Sequence, residues 1–234
     1  MPIIFKNIRR KLAAQNKATA YMRYAIGEIL LVVIGILIAL QINNWNDAKK
    51  SRAQLVEDLH TIQRNLRTDS LKLATNIKTG KRVTDYFNRI LNAPNDSTYN
   101  PNDFFTYMGA PAVEVNSAGY TSALNGNTLS VIKNEQLRLA LINYYESDYN
   151  LIKQFQENML SSSNILVQKI LDKTMALGDS GSFADQMSLI LKNDSFRKVF
   201  QKYKSNSDWV LAMLKKRLTR INEIQKLITM ELKQ

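Results

Sequence analysis

The pattern of apolar and polar residues separates one uninterrupted apolar segment from a long region of amphipathic periodicity. Residues 25–42 read AIGEILLVVIGILIALQI, with Glu28 as the one ionisable side chain. A helix of this length rises about 27 Å, close to the roughly 30 Å thickness of the hydrocarbon core of a bilayer. The segment therefore predicts a membrane-spanning helix; a buried core helix of a soluble protein is the alternative that its apolar character leaves open.

Beyond this segment, residues 47–91 show apolar residues at alternating spacings of three and four, the pattern of one face of a long helix. These positions are Leu55, Leu59, Ile62, Leu66, Leu73, Val83, Phe87 and Ile90. Asp69, Asn76 and Gly80 fall in the same seam and are expected to weaken it. The pattern predicts one long helix with a single buried face.

A second long helix is predicted from the N-cap Asn134 to residue 177, with Gly178 as its terminator. Its expected seam consists of Leu137, Leu141, Tyr144, Leu151, Phe155, Ser162, Leu166 and Ile170. Two short helices are expected over residues 183–192 and 195–203, the second capped by Asp194 or Ser195. A last helix is expected from Asp208, with Leu211, Leu214, Leu218, Ile221, Ile228 and Leu232 on one face and Gln225 in register.

The region between the first two long helices, residues 92–119, is rich in Asn, Pro, Asp and Gly and predicts an irregular loop. A helical turn over residues 120–125, closed by Gly126, should follow. A strand signal is confined to residues 112–116, too few to form a sheet. The predicted fold is therefore all-α: a single N-terminal transmembrane helix followed by an extracytoplasmic bundle of long amphipathic helices.

The amino-acid composition excludes several kinds of catalytic and metal-binding site. The chain has no cysteine, which excludes disulfides, thiolate metal sites and Cys nucleophiles, and a single histidine, His60. Asp69 and Asp148 fall in apolar seams and could meet as a carboxylate pair, although such positions more often mark a local opening of a seam. We predict no catalytic residue, no cofactor and no metal site.

The net charge of +12 is informative because of where it lies. Residues 1–24 contain six Lys and Arg and no acid, whereas Lys49, Lys50 and Arg52 follow the apolar segment. Positively charged flanks stay in the cytoplasm, so the N-terminus is predicted to be cytoplasmic and the bulk of the chain extracytoplasmic. A cleaved signal peptide is disfavoured for two reasons. The basic start is long, and Gln41 is not the small residue that ends the small-x-small pattern of a cleavage site.

Three segments follow from this topology: a cytoplasmic basic amphipathic segment (1–24), a transmembrane signal anchor (25–45) and an extracytoplasmic bundle (46–234). The predicted interfacial anchors are Tyr21, Tyr24 and Trp45. The predicted contacts to anionic lipid are Lys6, Arg9, Arg10 and Lys11. A frayed basic tail that only sets topology is the alternative for the first segment.

Glu28 is the most unusual residue of the apolar segment, because an ionisable side chain within a membrane helix suggests a function. At 100° per residue, Gly35 and Ala39 lie within about 20° of Glu28 on the helix circumference. Small residues allow another helix to approach closely. The stripe Glu28, Gly35 and Ala39 is therefore the predicted helix contact face; a carboxylate near the helix start that reaches headgroup water is the simpler interpretation.

The sequence YAIGEILLVVIGILIALQINNWN of residues 24–46, preceded by the basic KNIRRKL of residues 6–12, resembles the signature of a bacterial domain-of-unknown-function family of small single-span membrane proteins. Further similar segments are residues 122–126, 129–132, 135–138 and 144–146. The resemblance implies a membrane-anchored protein of Gram-negative bacteria. Together with the predicted topology, this places the anchor in the inner membrane and the bundle in the periplasm. The resemblance implies no activity and carries no catalytic residue.

These observations predict a membrane-anchored interaction or scaffold protein without enzymatic activity. Its expected partners are the lipid bilayer and either further copies of itself or other membrane proteins, and not nucleic acid. One alternative is an ion-coupled subunit of a membrane complex in which Glu28 titrates. A less favoured alternative is an extracytoplasmic ligand-binding module.

Overall fold

The computed structural model describes residues 18–93, 98–108, 114–177 and 181–233. The chain forms two units, Met1–Ala53 and Gln54–Gln234. Helix α1, Ala18–Asn92, is 75 residues long and contributes to both. Every regular element in the described ranges is a helix and none is a strand, which confirms the all-α prediction.

The remaining elements belong to the second unit. The helices are α2 (Pro101–Tyr107), α3 (Ala118–Asn125), a 3₁₀ helix (Thr128–Val131), α4 (Glu135–Ile142), a π-helical segment (Asn143–Asp148), α5 (Tyr149–Leu177), α6 (Phe183–Leu191) and α7 (Asp194–Glu231). The predicted N-cap Asn134 is confirmed, because its side chain accepts a hydrogen bond from Leu137 N. The predicted terminator Gly178 lies outside the described residues.

The predicted seam of α1 is confirmed in the second unit. Its eight apolar positions are all buried: Leu55, Leu59, Ile62, Leu66, Leu73, Val83, Phe87 and Ile90. Their spacing places them on one stripe of the helix, where burial of apolar surface stabilises the bundle. Asp69 and Gly80 are buried in this seam too, so the polar interruption lies inside the core.

The segment between α1 and α3 is not wholly irregular, because it contains α2. Asn100 caps this helix by accepting a hydrogen bond from Asp103 N at 2.8 Å, and Pro101 occupies the first turn. Proline suits that position because its missing N–H would have no helical partner there. At the other end of α2, the Met108 carbonyl accepts hydrogen bonds from Ser163 of α5 and Tyr203 of α7.

The second long helix is wound differently from the prediction. Residues 143–148 form a π-helical turn between α4 and α5. Such a turn takes up one more residue than an α-helical turn and rotates the following side chains around the axis. Leu151, predicted to be in the seam, is consequently exposed, and Ile152 is buried instead. Further along α5, Ser163 is buried, and the prediction is met at Leu166 and Ile170.

The prediction of two helices between residues 195 and 234 is wrong, since α7 is continuous and is capped by Asn193. The residues between Tyr203 and Asp208 are polar, but they contain no Gly or Pro. Ser207 is buried and its hydroxyl donates to the Tyr203 carbonyl at 3.0 Å, which satisfies it within the helix. Lys204 and Asp208 form an ion pair of 2.6 Å across the same turn.

The buried face of α7 is also rotated from the predicted one. Leu211, Leu214, Ile221 and Ile228 are buried as predicted. Leu218, Gln225 and Leu232 are only partly buried, and the fully buried positions beside them are Arg217, Ile224 and Glu231. Arg217 and Glu231 lie on the buried face of α7. Sequence patterning does not predict this, because it assigns ionisable residues to the solvent-exposed face.

Candidate functional site

The apolar segment of α1 packs against nothing among the described residues of its own unit. Its large apolar side chains from Ile26 to Ile42 are 43–67% exposed on every side of the helix. The most apolar 18-residue window has a mean hydropathy of 2.6 and is 0% buried. The helix is thus long and apolar enough to span a membrane, and it lacks the burial of a soluble core helix.

The residues of the predicted contact face lie on this bare helix. Glu28 is partly exposed and Ala39 is exposed. A Cβ atom placed on Gly35 would have nothing within 4 Å. Open space around Gly35 leaves room for another helix, as the predicted contact face requires.

Of the predicted interfacial anchors, Trp45 is 68% exposed, with Lys49 Nζ 5.9 Å from the centre of its ring. The side chains of Tyr21 and Tyr24 lie outside the described residues, as do Lys6, Arg9, Arg10 and Lys11. The predicted lipid contacts of those residues remain predictions.

In the second unit, a row of three buried polar side chains runs along α1: Asp58, Asn65 and Asp69. Their spacing of seven and four residues places them on one stripe, adjacent to the apolar seam. Buried polar groups are costly unless they are hydrogen-bonded. Each of the three bonds to the segment between residues 116 and 144, and the row fastens that segment to α1.

Asp58 forms the first fastening. Its carboxylate accepts hydrogen bonds from Ser122 Oγ at 2.8 Å and from Thr128 Oγ1 at 2.7 Å. Gln54 Nε2 donates to it at 3.3 Å from the preceding turn of α1. Hydrogen bonds to an ionised acceptor are stronger than neutral ones, so Asp58 holds α3 and the 3₁₀ helix at once.

Asn65 forms the second fastening at the closest approach of α3 to α1. With its amide turned so that Nδ2 donates to the Thr61 carbonyl at 3.2 Å, Oδ1 accepts from Gly119 N at 3.1 Å. A Cβ atom on Gly119 would lie 2.7 Å from Ile62 N and 3.1 Å from the Thr61 carbonyl carbon. Those contacts are with backbone atoms, so this position requires glycine.

Asp69 forms the third fastening and is 1% exposed. It accepts hydrogen bonds from Asn116 N at 3.3 Å and from Tyr144 Oη at 3.4 Å. The Arg217 guanidinium carbon lies 4.2 Å from the centre of the Tyr144 ring, a cation–π contact. Within the parts of the chain that the structure describes, Arg217 Nη1 and Nη2 have no hydrogen-bond partner.

Burial and the neighbouring charges set the protonation of this cluster. Burial raises the pKa of Asp69 above its usual value, against the lowering effects of the Asn116 N–H and the Arg217 charge. Burial raises the pKa of Tyr144 to about 12, although the Arg217 charge opposes the shift. Tyr144 therefore remains protonated at neutral pH and serves as a hydrogen-bond donor to Asp69.

The π-helical segment adds a second aromatic contact beside this cluster. The rings of Tyr120 and Tyr145 are stacked, with centroids 4.6 Å apart and planes at 14°. Tyr120 Oη donates to Glu146 at 2.5 Å. Three consecutive π-helical residues thus contact two neighbours: Tyr144 donates to Asp69, the Tyr145 ring stacks on Tyr120, and Glu146 accepts the Tyr120 hydroxyl. π turns are frequent at functional positions.

Asp69 and Asp148, which the sequence offered as a less favoured carboxylate pair, have separate partners. Asp148 pairs with Arg220 at 2.5 Å, whereas Asp69 bonds to Asn116 and Tyr144. No group of three or more potential metal-ligating side chains occurs within the described ranges. His60 is exposed. The arrangement of Asp69, Tyr144 and Arg217 fixes the positions of α1, the π-helical segment and α7.

The sequence pattern of a family of unknown function, DUF6090, matches residues 28–165. The chain belongs to this family. The match begins within the apolar segment and ends in α5, so the DUF6090 region includes Asp69 and Tyr144, whereas Arg217 lies beyond it. No curated protein and no solved structure matches the chain. This match confirms the predicted resemblance to a family of unknown function over residues 28–165.

Sequence reasoning missed most of the polar contacts in this DUF6090 member. Glu231 is fully buried and accepts hydrogen bonds from Lys133 N at 3.2 Å and Asn134 N at 3.0 Å, at the start of α4. The signal that could have found it is its spacing: Arg217, Ile221, Ile224, Ile228 and Glu231 recur at three and four residues. The charged ends of that series belong to the buried face.

Proposed function

We propose that this DUF6090 protein is a membrane-anchored helical interaction module. The apolar segment of α1 lies in the bilayer and holds the helical bundle of Gln54–Gln234 at the membrane surface. The observation that carries the proposal is the exposure of every large apolar side chain from Ile26 to Ile42. Soluble proteins rarely leave such a contiguous apolar surface bare. No catalytic step belongs to the proposal.

Lipid is the occupant that fits this surface. The bare side chains surround the helix completely, whereas a single protein partner covers one face. The length of residues 25–42, about 27 Å as a helix, matches the hydrocarbon thickness. The exposed Trp45 and Lys49 follow the segment, where an amphipathic ring and a long cationic side chain suit the headgroup zone.

The orientation in the membrane follows from the charges that flank the segment. With six Lys and Arg before it and Lys49, Lys50 and Arg52 after it, the N-terminus is cytoplasmic and the bundle periplasmic at the bacterial inner membrane. Protease added to spheroplasts should degrade the chain beyond Trp45 and spare residues 1–24. A protected bundle would contradict this orientation.

A matched pair of substitutions on α1 tests the membrane insertion. Leu37 and Leu71 are both exposed, at 58% and 68%, but only Leu37 lies in the apolar segment. Arginine at the centre of a membrane helix costs about 2.5–3.5 kcal/mol on insertion scales. Leu37→Arg should therefore reduce the share of protein that resists carbonate extraction from membranes, and Leu71→Arg should leave it unchanged. Equal extraction of both variants and the wild type would contradict the proposal.

The interaction role rests on the stripe of Glu28, Gly35 and Ala39. The open space at Gly35 supports close approach by a second helix, either from another copy of this chain or from another membrane protein. Affinity purification in a mild detergent, followed by mass spectrometry, identifies which of these two kinds of partner binds. Recovery of the monomer alone would contradict the interaction role and leave the anchor.

A further inference from the structure

A polar cavity of about 320 Å³ lies between α1 and α2, away from the buried cluster of Asp69. Its lining residues are Arg82, Asp85, Tyr86, Arg89, Asp103 and Tyr107. The first four occupy one stripe of α1 at spacings of three and four, and the last two lie one turn apart on α2. Volumes near 300 Å³ are at the lower end for small-molecule sites.

The charges of this cavity are balanced, with two arginines and two aspartates. Arg82 and Asp85 are exposed, and neither has a hydrogen-bond or ion-pair partner in residues 18–93, 98–108, 114–177 and 181–233. Asp103 is oriented by Asn100, whose Nδ2 donates to its Oδ2 at 2.8 Å. A balanced lining does not favour a strong anion or a polycation; it complements a ligand that carries one charge of each sign.

The wall of the cavity is aromatic. Tyr86 is 5% exposed, and its ring lies 4.9 Å from that of Tyr107 and 6.3 Å from that of Tyr99. The guanidinium of Arg89 lies over the Tyr86 ring at 5.8 Å. The Tyr86 hydroxyl is buried and finds no hydrogen-bond partner among the described residues. A buried hydroxyl without a partner is costly, and a polar ligand group would satisfy it.

We propose that this cavity, the Tyr86 pocket, binds a small zwitterion of the α-amino-acid class. Arg82 binds the ligand carboxylate, Asp85 and Asp103 bind its ammonium group, and the rings of Tyr86 and Tyr107 contact its apolar body. The Tyr86 hydroxyl bonds to the polar end of the ligand. This role goes beyond membrane anchoring and would survive the failure of that proposal, because all six residues belong to the bundle unit.

Three probes share one aromatic group and differ in charge: the zwitterion L-phenylalanine, the anion 3-phenylpropionate and the cation phenethylamine. Each is titrated by calorimetry into the full-length protein in lipid nanodiscs, with empty nanodiscs as the blank. L-Phenylalanine should bind with a Kd on the order of 1 mM or tighter. Each singly charged analogue should bind roughly tenfold more weakly, because it leaves one side of the pocket unpaired.

The analogues also define the results that overturn the proposal. Equal affinity for 3-phenylpropionate and L-phenylalanine would identify a simple anion site, and equal affinity for phenethylamine a simple cation site. No heat above the blank at about 10 mM L-phenylalanine, several times the expected Kd, would show that the pocket takes no such ligand.

Variants then assign the binding to the Tyr86 pocket. Arg82→Gln and Asp85→Asn should each weaken L-phenylalanine binding roughly five- to tenfold. Arg67→Gln and Glu57→Gln change exposed residues of α1 outside the pocket and should leave the Kd unchanged. An unchanged Kd in both pocket variants would overturn the assignment.

Tyr86→Phe gives a readout that a loss of folding cannot imitate. Removing a hydroxyl without a partner should leave the melting temperature of the free protein unchanged or raise it. The affinity for L-phenylalanine should nonetheless fall roughly fivefold, because the ligand loses a hydrogen bond. If Tyr86→Phe bound L-phenylalanine with unchanged affinity, the hydroxyl would have no contact with the ligand, and its proposed role would be overturned.

Discussion

The two halves of α1 use the same kinds of side chain for opposite purposes. In residues 25–42, leucine, isoleucine and valine occupy the whole circumference and are exposed. In residues 55–91 the seam residues occupy one stripe and are buried against the rest of the second unit, while Leu71, outside the seam, is exposed. Leu37 is 58% exposed and Leu59 is 0% exposed in one helix.

This difference shows that the distribution of apolar residues around a helix, more than their number, determines what covers them. Neighbouring helices can bury an apolar stripe. A helix that is apolar on all sides instead needs an apolar solvent, such as lipid, around its whole circumference. The polar positions of the second half are equally specific, because Asp58, Asn65 and Asp69 share one stripe and each has hydrogen bonds to another segment.

The largest expected effect comes from shortening one leucine in each half. Leu59→Ala leaves a cavity in the core and should lower the free energy of unfolding of the bundle by about 2–5 kcal/mol. Leu37→Ala should leave that free energy unchanged, because Leu37 has no part in the core. Urea unfolding in detergent measures both, with Trp209 as the reporter through its contact with Phe155 at 4.0 Å.

A Trp45→Phe background makes Trp209 the single tryptophan, since the chain contains two. If Leu37→Ala lowered the unfolding midpoint as much as Leu59→Ala, the division of α1 into a bare half and a core half would be incorrect.

Glycine gives the next contrast. Gly119→Ala forces a methyl group against the backbone of Thr61 and Ile62 and should cost about 1–3 kcal/mol of bundle stability. Gly35→Ala meets nothing within 4 Å and should cost the bundle nothing. The same urea titration compares them. A Gly119→Ala protein of full stability would show that α3 and α1 do not approach as closely as described.

A smaller effect is expected at the predicted contact face. Gly35→Ile and Ala39→Ile should block close approach of a partner helix, whereas Leu37→Ile, on the opposite side, should be silent. Interhelical hydrogen bonds, which Glu28 can form on this face, contribute only about 0.6–2 kcal/mol, so the association is weak and cross-linking in native membranes should report partial dissociation. Equal cross-linking yields for the wild type, Gly35→Ile and Ala39→Ile would show that lipid, and not a helix, covers this stripe.

Glu28→Gln separates a hydrogen-bonding carboxylate from a titrating one. An amide retains hydrogen-bonding capacity and should preserve cross-linking, but it cannot exchange a proton. Reduced cross-linking in Glu28→Gln would show that the contact needs the ionisable carboxyl group and not only a hydrogen-bonding side chain.

The smallest effect concerns the pH dependence of the bundle. Burial raises the pKa of Asp69 in the folded state above 3.8, so the folded protein holds this proton more tightly than the unfolded chain. The stabilisation is present below the unfolded value and is lost as the pH rises through the raised folded value. Asp69→Asn lacks this dependence, so wild-type stability should fall relative to the variant across that window. Urea midpoints at a series of pH values measure it; parallel curves would contradict the shift.

The fold could be predicted where the helix is regular and could not where its winding changes. The apolar positions of the α1 seam from Leu55 to Ile90 follow regular α-helical spacing, so the sequence predicts each of them. In the second long helix, the same reasoning failed at Leu151, because no residue type in 143–148 announces a π turn. Nothing local in the sequence carries that information; the packing of Tyr144, Tyr145 and Glu146 on other segments does.

The buried polar sites were harder to predict than the apolar segment. Continuous hydrophobicity in residues 25–42 can be recognised without knowing any neighbour. The burial of Arg217 and Glu231 depends on groups far away in the chain, the Tyr144 ring and the N–H groups of Lys133 and Asn134. Asp69 was recognised as an interruption of its seam, but its partners lie 47 and 75 residues further along.

The π-helical segment implies that the second long helix can lose one residue without turning its buried face away from the core. A π turn holds one residue more than the α-helical turn that it replaces. Deletion of one residue between 143 and 148 would therefore restore regular winding and leave Ile152 facing the core. An insertion of one residue into a regular ancestral helix would account for the present arrangement, and a length difference at this point among relatives would record it.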